Sequence, residues 1–102
     1  MGIQVSDAVL EGIKSAVSGP LAGMRYQLRL FGSRVKGSSS SRSDYDLAID
    51  TGAKIDFATM DRIRERLDVL PVLQKIDLVD LKAVSSDFAE AVIREAVVLD
   101  ER

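Results

Sequence analysis

The alternation of apolar and polar residues along the chain predicts a small mixed α/β domain. Apolar residues recur at helical spacing in three segments, which predicts amphipathic helices over residues 6–18, over 56–70 and from 85 or 86 onward. They alternate with polar residues in three others, which predicts half-buried strands at 25–31, 44–50 and 75–81. The final apolar stretch, 97–99, is expected to add a short edge strand. This order predicts a single domain over residues 1–102, with one mixed sheet and helices packed on one face.

Such a sheet leaves one face without an obvious cover, and that face should hold any functional site. Strand parity assigns to it one basic and three acidic side chains: Arg29, Asp44, Asp46 and Asp77. The same parity places Phe31, Val79 and Leu81 on this face, where they would expose apolar surface for a partner unless a loop or the C-terminus covers them. Tyr26 and Tyr45 have the opposite parity and are expected to point into the core.

Composition removes several classes of enzyme. The chain has no cysteine and no histidine, which excludes disulfides, thiolate or histidine metal sites and Ser-His-Asp catalysis. No apolar run approaches the roughly 20 residues needed to cross a bilayer, and the N-terminal residues do not resemble a secretory signal. A cytoplasmic location without membrane association is therefore expected. Any catalysis has to use carboxylates, hydroxyls, Lys or Arg, and a metal ion.

Charge is distributed unevenly along the chain. The net charge is −2, which argues against stable nucleic-acid binding. No acidic residue occurs from Gly12 to Ser43, however, and this stretch contains six basic ones: Lys14, Arg25, Arg29, Arg34, Lys36 and Arg42. A basic stretch that leads directly into an acidic pair is typical of a polyanion held beside a metal ion, although a solvated charged surface would have the same composition.

The central motif is Gly32-Ser33, ten intervening residues, and then Asp44-Tyr45-Asp46. Alternation along a strand places the two aspartates on one face, about 6–7 Å apart at their Cα atoms, and hard oxygen ligands so placed suit Mg²⁺ bound to phosphate oxygens. Gly32 permits a tight turn and a close approach of backbone to phosphate. Ser33 can present its hydroxyl and N–H to an anion at the start of a short helical turn.

Further residues are expected to complete this site. Parity on the third strand selects Asp77 as the third carboxylate and directs Asp80 to the other side, although a register slip of one residue would reverse the choice. Arg34, Lys36 and Arg42 are close enough in sequence to neutralise a triphosphate. Ser43 and the serines before it add hydrogen-bond donors.

With these residues assembled, the chain resembles the minimal nucleotidyltransferases of the DNA polymerase β-like superfamily. FGSRVKGSSSSRSDYDLAID is similar to the family's Gly-Ser and Asp-x-Asp signature, KIDLVDL to its third-carboxylate strand, and SSDFAEAVIREAVVL to its closing helix and strand. One departure is Ala96, where the family usually has a glycine before the terminal strand.

The resemblance implies a polymerase β-like palm fold and transfer of a nucleotidyl group, AMP from ATP or another NTP, to an acceptor hydroxyl. It assigns Asp44, Asp46 and Asp77 to catalysis and to two Mg²⁺ ions, and Gly32 and Ser33 to phosphate binding. It also implies a helical HEPN toxin as the partner protein, with the enzyme acting as the antitoxin.

Alternative functions stay open at this point. The chain could be an antitoxin that acts by occlusion without catalysis, or an enzyme that modifies a small molecule. A polymerase role fits least, because the chain is acidic and has no duplex-binding segment. The sequence does not identify the acceptor or the base, and it leaves homodimerisation open.

Overall fold

The computed structural model describes residues 5–37 and 42–102, and within them it has the predicted alternation of helices and strands. The elements in chain order are α1 (Asp7–Ser18), β1 (Gln27–Phe31), α2 (Ser33–Lys36), β2 (Tyr45–Asp50), α3 (Phe57–Asp68), β3 (Ile76–Asp80), α4 (Ser86–Glu95) and β4 (Val97–Glu101). The predicted terminal strand is confirmed as β4. The serines at 38–41 lie outside the described residues.

The three longer helices begin at side-chain caps that the sequence predicted. Ser6, Asp56 and Ser85 each accept a hydrogen bond from the backbone N–H three residues later, which satisfies one of the free donors at a helix start. The three helices therefore start within one residue of the predicted positions.

The strands form one mixed sheet in the order β3-β2-β1-β4. β1 pairs antiparallel with both β2 and β4, whereas β2 pairs parallel with β3. A register irregularity between Leu28 and Arg29 interrupts the β1–β4 pairing. The fold class predicted from the sequence, a small mixed sheet with helices, is confirmed.

The main core lies between one face of the sheet and helices α1 and α3. Its fully buried side chains alternate along the strands and recur at helical spacing in the helices: Ile13, Val17, Leu28, Leu30, Leu47, Ile49, Ile63 and Leu67. Tyr26 and Tyr45 are 4 % and 5 % exposed, so the inward direction predicted for both tyrosines is confirmed. Burial of this apolar surface is the main stabilising term of the fold.

The prediction that the helices pack on one face of the sheet is wrong for α4. Its buried Val92 belongs to a second, smaller cluster with Ala48 and Leu81, against which Phe31 and Val79 pack. These strand residues have the opposite parity to the main core, so α4 covers part of the second sheet face. The outward apolar residues are thus covered by the C-terminal helix, which was one of the two expectations for them. The physical reason is that burying them against α4 removes apolar area from water.

Ala96 connects α4 to β4 where a glycine was expected. Its backbone has φ −76° and ψ 156°, an extended conformation open to any residue, and its N–H donates to the carbonyl of Val92. The turn therefore needs no glycine. None of the helices in the described part of the chain has the length and apolar character required to span a bilayer.

Asp80 is a buried carboxylate that ties the end of β3 to neighbouring backbone. Its Oδ2 accepts a hydrogen bond from the N–H of Ile55 at 2.7 Å, and its Oδ1 accepts one from the N–H of Lys82 at 2.9 Å. Asp80 lies opposite Ile49 and shares its side of the sheet, away from Asp77, as strand parity predicted. Its role in this structure is to satisfy two backbone donors.

The substitution Asp80→Asn should therefore destabilise the protein by about 1–3 kcal/mol, because the amide group can accept only one of the two bonds and its NH₂ then faces the other donor. Urea denaturation measures the free energy of unfolding, compared between variant and wild type at equal m-values. Asp61→Asn, at an exposed position of α3, is the matched control and should stay within about 0.5 kcal/mol of wild type. Equal losses for the two variants would contradict this role for Asp80.

Candidate nucleotide and metal site

The turn after β1 brings Gly32 into contact with Asp46. Phe31, the last residue of β1, pairs with Asp46 of β2, so the register places the next residue beside this carboxylate. Gly32 has φ 81° and ψ −155°, a conformation essentially restricted to glycine. A Cβ atom built on Gly32 would lie 2.4 Å from Oδ2 of Asp46. Both the backbone conformation and the space therefore require glycine at this position.

Ser33 starts α2 directly after this turn. The carbonyl of Gly32 accepts hydrogen bonds from the N–H groups of Val35 and Lys36, each at 3.1 Å, which fixes the single helical turn predicted after Ser33. Ser33 is half-buried and follows the glycine that contacts Asp46. The structure thus places the Gly-Ser pair and the Asp-x-Asp pair side by side, although ten residues separate them in the chain.

The carboxylates of β2 and β3 occupy neighbouring positions. Asp46 pairs in register with Asp77 across the parallel strands, so their Cα atoms are about 5 Å apart and their side chains share one sheet face. Asp44 precedes β2 by one residue and is exposed. The strand parity predicted for Asp77 agrees with this register, whereas its catalytic role stays a prediction.

The three carboxylates interact electrostatically. The pKa of Asp46 is raised above its ordinary value, first by partial burial, then by the negative charge of Asp77 and then by that of Asp44. Like charges gathered on one face disfavour ionisation of the most buried member. A divalent cation bound among them would relieve this repulsion, so the donor set suits a hard metal ion.

The side chains of the three aspartates do not converge on one point. Among the described residues, no group of three acidic side chains is close enough to hold an ion. Asp77 Oδ1 instead lies 3.3 Å from the Nζ atom of Lys75, in an ion pair that is largely exposed. An exposed pair of this kind contributes little stability, so the side chain can turn towards an ion at small cost.

Arg34 is buried, whereas a side chain that neutralises a bound phosphate would have to be accessible to it. Arg34 is only 7 % exposed, its Nε and Nη2 donate to the carbonyl oxygen of Ser43 at 3.2 and 2.8 Å, and its Cζ lies 3.9 Å from the centre of the Tyr45 ring. The sequence did not predict this contact, because nothing in a single sequence pairs residue 34 with residues 43 and 45.

The remaining predicted cations lie at several places. Arg42 is exposed and Ser43 half-buried, immediately before Asp44. Lys36 Nζ forms an ion pair with Glu95 of α4 at 3.3 Å. Arg29 is on the carboxylate face, but its Nη2 donates to Gln27, towards the opposite end of the sheet from Asp46. Its buried Nη1 has no hydrogen-bond partner among the described residues.

Comparison with known proteins identifies the class. Residues 27–102 match the sequence profile of the family described as polymerase beta nucleotidyltransferase. The chain therefore belongs to the polymerase β-like nucleotidyltransferase family. It is also 38 % identical over 77 residues to the "Probable protein adenylyltransferase MntA" of Haemophilus influenzae, a match that covers 76 % of this chain and 68 % of the relative.

Solved structures share the fold. A toxin–antitoxin crystal structure with AMP-PNP superposes with a TM-score of 0.71 at 22 % identity, covering 91 % of this chain and 73 % of that chain. A structure of tri-AMPylated Shewanella oneidensis HEPN toxin in complex with MNT antitoxin gives a TM-score of 0.68 at 20 % identity, covering 92 % of this chain and 71 % of that chain. At these identities the superpositions establish a common fold.

The contact between Gly32 and Asp46 gives a direct test. Gly32→Ala should lower the free energy of unfolding by about 1–3 kcal/mol through backbone strain alone and should also displace Asp46, because the new methyl group would overlap its carboxylate. Gly23→Ala is the matched control: Gly23 has φ 82°, but a Cβ there meets no atom within 4 Å. Urea denaturation measures stability, and Mn²⁺ titration followed by electron paramagnetic resonance measures binding. Weakened Mn²⁺ binding should occur in Gly32→Ala only. An equal loss of Mn²⁺ binding in both variants would show that the contact with Asp46 is not the cause.

The electrostatic coupling gives a second test. Of the two negative charges that act on Asp46, that of Asp77 has the larger effect on its pKa, and Asp77→Asn removes it. The pKa of Asp46 should therefore fall towards its ordinary value of 3.8, although burial keeps it above that value. Carboxyl ¹³C NMR titration without metal measures this shift. An unchanged pKa would show that the two carboxylates do not interact.

The same shift sets the sign of a stability effect. Because the folded state holds the proton of Asp46 more tightly than the unfolded chain does, this carboxyl destabilises the metal-free fold increasingly as the pH rises from 3.8 through the raised pKa. Below pH 3.8 this destabilisation disappears, because the carboxyl of Asp46 is then protonated in both the folded and the unfolded state. Asp46→Asn should accordingly remove this part of the pH dependence in urea denaturation curves.

Proposed function

We propose that the protein is a Mg²⁺-dependent nucleotidyltransferase that moves AMP from ATP to an acceptor hydroxyl. The observation that carries this proposal is the in-register pair Asp46 and Asp77, with Asp46 packed against the Gly32 turn. In the reaction, the acceptor oxygen forms a bond to the α-phosphorus of ATP, the bond from that phosphorus to pyrophosphate breaks, and the acceptor proton is released to a carboxylate or to solvent.

In this proposal each residue has a separate task. Asp44, Asp46 and Asp77 hold two Mg²⁺ ions, which when bound supply positive charge against the triphosphate and acidify the acceptor hydroxyl. The Gly32 turn lets the phosphates approach the backbone, and the hydroxyl and N–H of Ser33 donate to them. The pKa of Asp46 is raised first by partial burial and then by the negative charges of Asp77 and Asp44, and the contribution of these like charges supports a cation as the missing component.

Residues beside the carboxylates complete the proposed phosphate site. Arg42 and Ser43 directly precede Asp44, and in this proposal they contribute to binding the triphosphate. Arg34 of α2 contacts this segment through the carbonyl of Ser43 and is buried against Tyr45, so it supports the site through these neighbours.

The acceptor in this proposal is a HEPN toxin, which the protein would adenylylate as its antitoxin. Support comes from the named activity of the Haemophilus influenzae relative, protein adenylyltransferase, and from the structure of an AMPylated HEPN toxin with its MNT antitoxin. A cytoplasmic location is part of the same proposal. Occlusion of the toxin without chemistry is the competing function, since the same complexes would also permit it.

Label transfer separates the two functions. The protein is incubated with Mg²⁺ and ATP labelled at either the α- or the γ-phosphate, with and without the HEPN protein proposed as its partner. The toxin should become labelled with α-labelled ATP and not with γ-labelled ATP, because nucleotidyl transfer retains the α-phosphate and releases the γ-phosphate in pyrophosphate. Label from γ-labelled ATP would instead indicate phosphoryl transfer.

Asp44→Asn and Asp46→Asn should each reduce the transfer by at least about 100-fold, because loss of one metal ligand removes several kcal/mol of charge stabilisation. Asp68→Asn, at an exposed position at the end of α3, is the control and should retain the wild-type rate. If no label is transferred by the wild type, while all variants bind and inhibit the toxin equally, the protein acts by occlusion.

A further inference from the structure

Arg34 connects the Gly-Ser turn to the residues on both sides of Asp44. It follows Ser33 directly in α2, and its guanidinium makes a two-point hydrogen bond to the carbonyl oxygen of Ser43, at 2.8 and 3.2 Å. The flat face of the same guanidinium stacks on Tyr45, with Cζ 3.9 Å from the ring centre. One side chain therefore holds the residue before Asp44 and the residue after it.

Asp44 is the carboxylate that most needs such support. It is exposed and lies outside β2, whereas Asp46 and Asp77 are held within paired strands. The first sheet-like hydrogen bond after Asp44 is donated by the N–H of Tyr45 to the carbonyl of Lys75, at 2.9 Å. The direction of Asp44 hence depends on contacts made by its two neighbours, and Arg34 supplies a contact to each.

Burial gives Arg34 a structural reason to be arginine. At 7 % exposure, a cation is tolerated only when its donors are satisfied. The planar guanidinium can stack and donate a forked bond at the same time, whereas the ammonium group of lysine cannot.

We infer that Arg34 is a positioning residue that clamps Ser43 and Tyr45 to α2 and so fixes Asp44 relative to Ser33. The inference rests on the proposed function for its catalytic consequence, but the clamp itself has a structural readout that is independent of turnover. In this assignment Arg34 does not contact the nucleotide; it acts through the carboxylate that its neighbours carry.

The structural test uses Arg34→Met and Arg34→Lys in metal-free protein. Both variants should lower the hydrogen-exchange protection of the Tyr45 amide, since each breaks the forked bond and the stacking that hold this end of β2. Lys36→Met, in the same helical turn, removes an exposed cation and should leave this amide unchanged. Wild-type protection of the Tyr45 amide in Arg34→Lys would overturn the clamp, because charge alone would then suffice.

The functional test separates positioning from phosphate binding. In Mn²⁺ titrations without nucleotide, the two Arg34 variants should lose roughly 10- to 100-fold in affinity, the range typical of groups that orient a metal ligand. In the transfer assay kcat should fall by a similar factor, while KM for ATP stays within about twofold. A raised KM with unchanged kcat and Mn²⁺ affinity would overturn the inference and make Arg34 a phosphate contact.

The two proposals can fail separately. Absence of transfer by the wild type would refute the proposed function, whereas the exchange protection of Tyr45 and the Mn²⁺ affinity would still decide the clamp. If Arg34→Met fails to fold, Arg34→Lys, which retains charge and most of the volume, carries the same comparison.

Discussion

Repulsion among carboxylates that the backbone forces onto one sheet face is the constraint on which this structure depends. Asp46 lies in register with Asp77 and packs against the turn at Gly32, so it cannot move away from either without disturbing the strand pairing. The pKa of Asp46 is raised by its partial burial and, after that, by the like charges of Asp77 and Asp44. The main core on the opposite face supplies the stability that holds these charges together, as is usual for a preorganised functional site.

Helix α4 supports the same site from the second sheet face, on which Asp46 and Asp77 also lie. Phe88 of α4 meets Phe31 edge to face at a centroid distance of 6.3 Å, directly before the glycine turn, and Glu95 pairs with Lys36 of α2. The helix thus contacts the residues on both sides of the Gly-Ser pair. A single helix across part of the second sheet face can brace the turn and still leave the carboxylate end accessible.

Local patterning was sufficient to predict the strands, the helix caps and the parity of the carboxylates, because each depends on residues a few positions apart. The side of the sheet that α4 covers was not predictable in this way, since its amphipathic pattern fits either face. Of the three large apolar residues Phe88, Val92 and Ile93 of α4, the first and last are 42 % and 46 % exposed and only Val92 is buried. The position of Arg34 was also not predictable from local patterning, because its partners Ser43 and Tyr45 lie nine and eleven residues further along the chain.

Three cations of the described residues are held by groups of the protein itself. Arg34 donates to the backbone of Ser43, Lys36 pairs with Glu95, and Lys75 pairs with Asp77. Two of the six cations of the basic stretch, Arg34 and Lys36, are therefore engaged by partners other than phosphate. A triphosphate that approaches three carboxylates meets electrostatic repulsion, and side chains that are already paired offset it less than free cations would. Dissolved divalent cations can bind the carboxylates and the phosphates at once, which supports the proposed dependence on Mg²⁺.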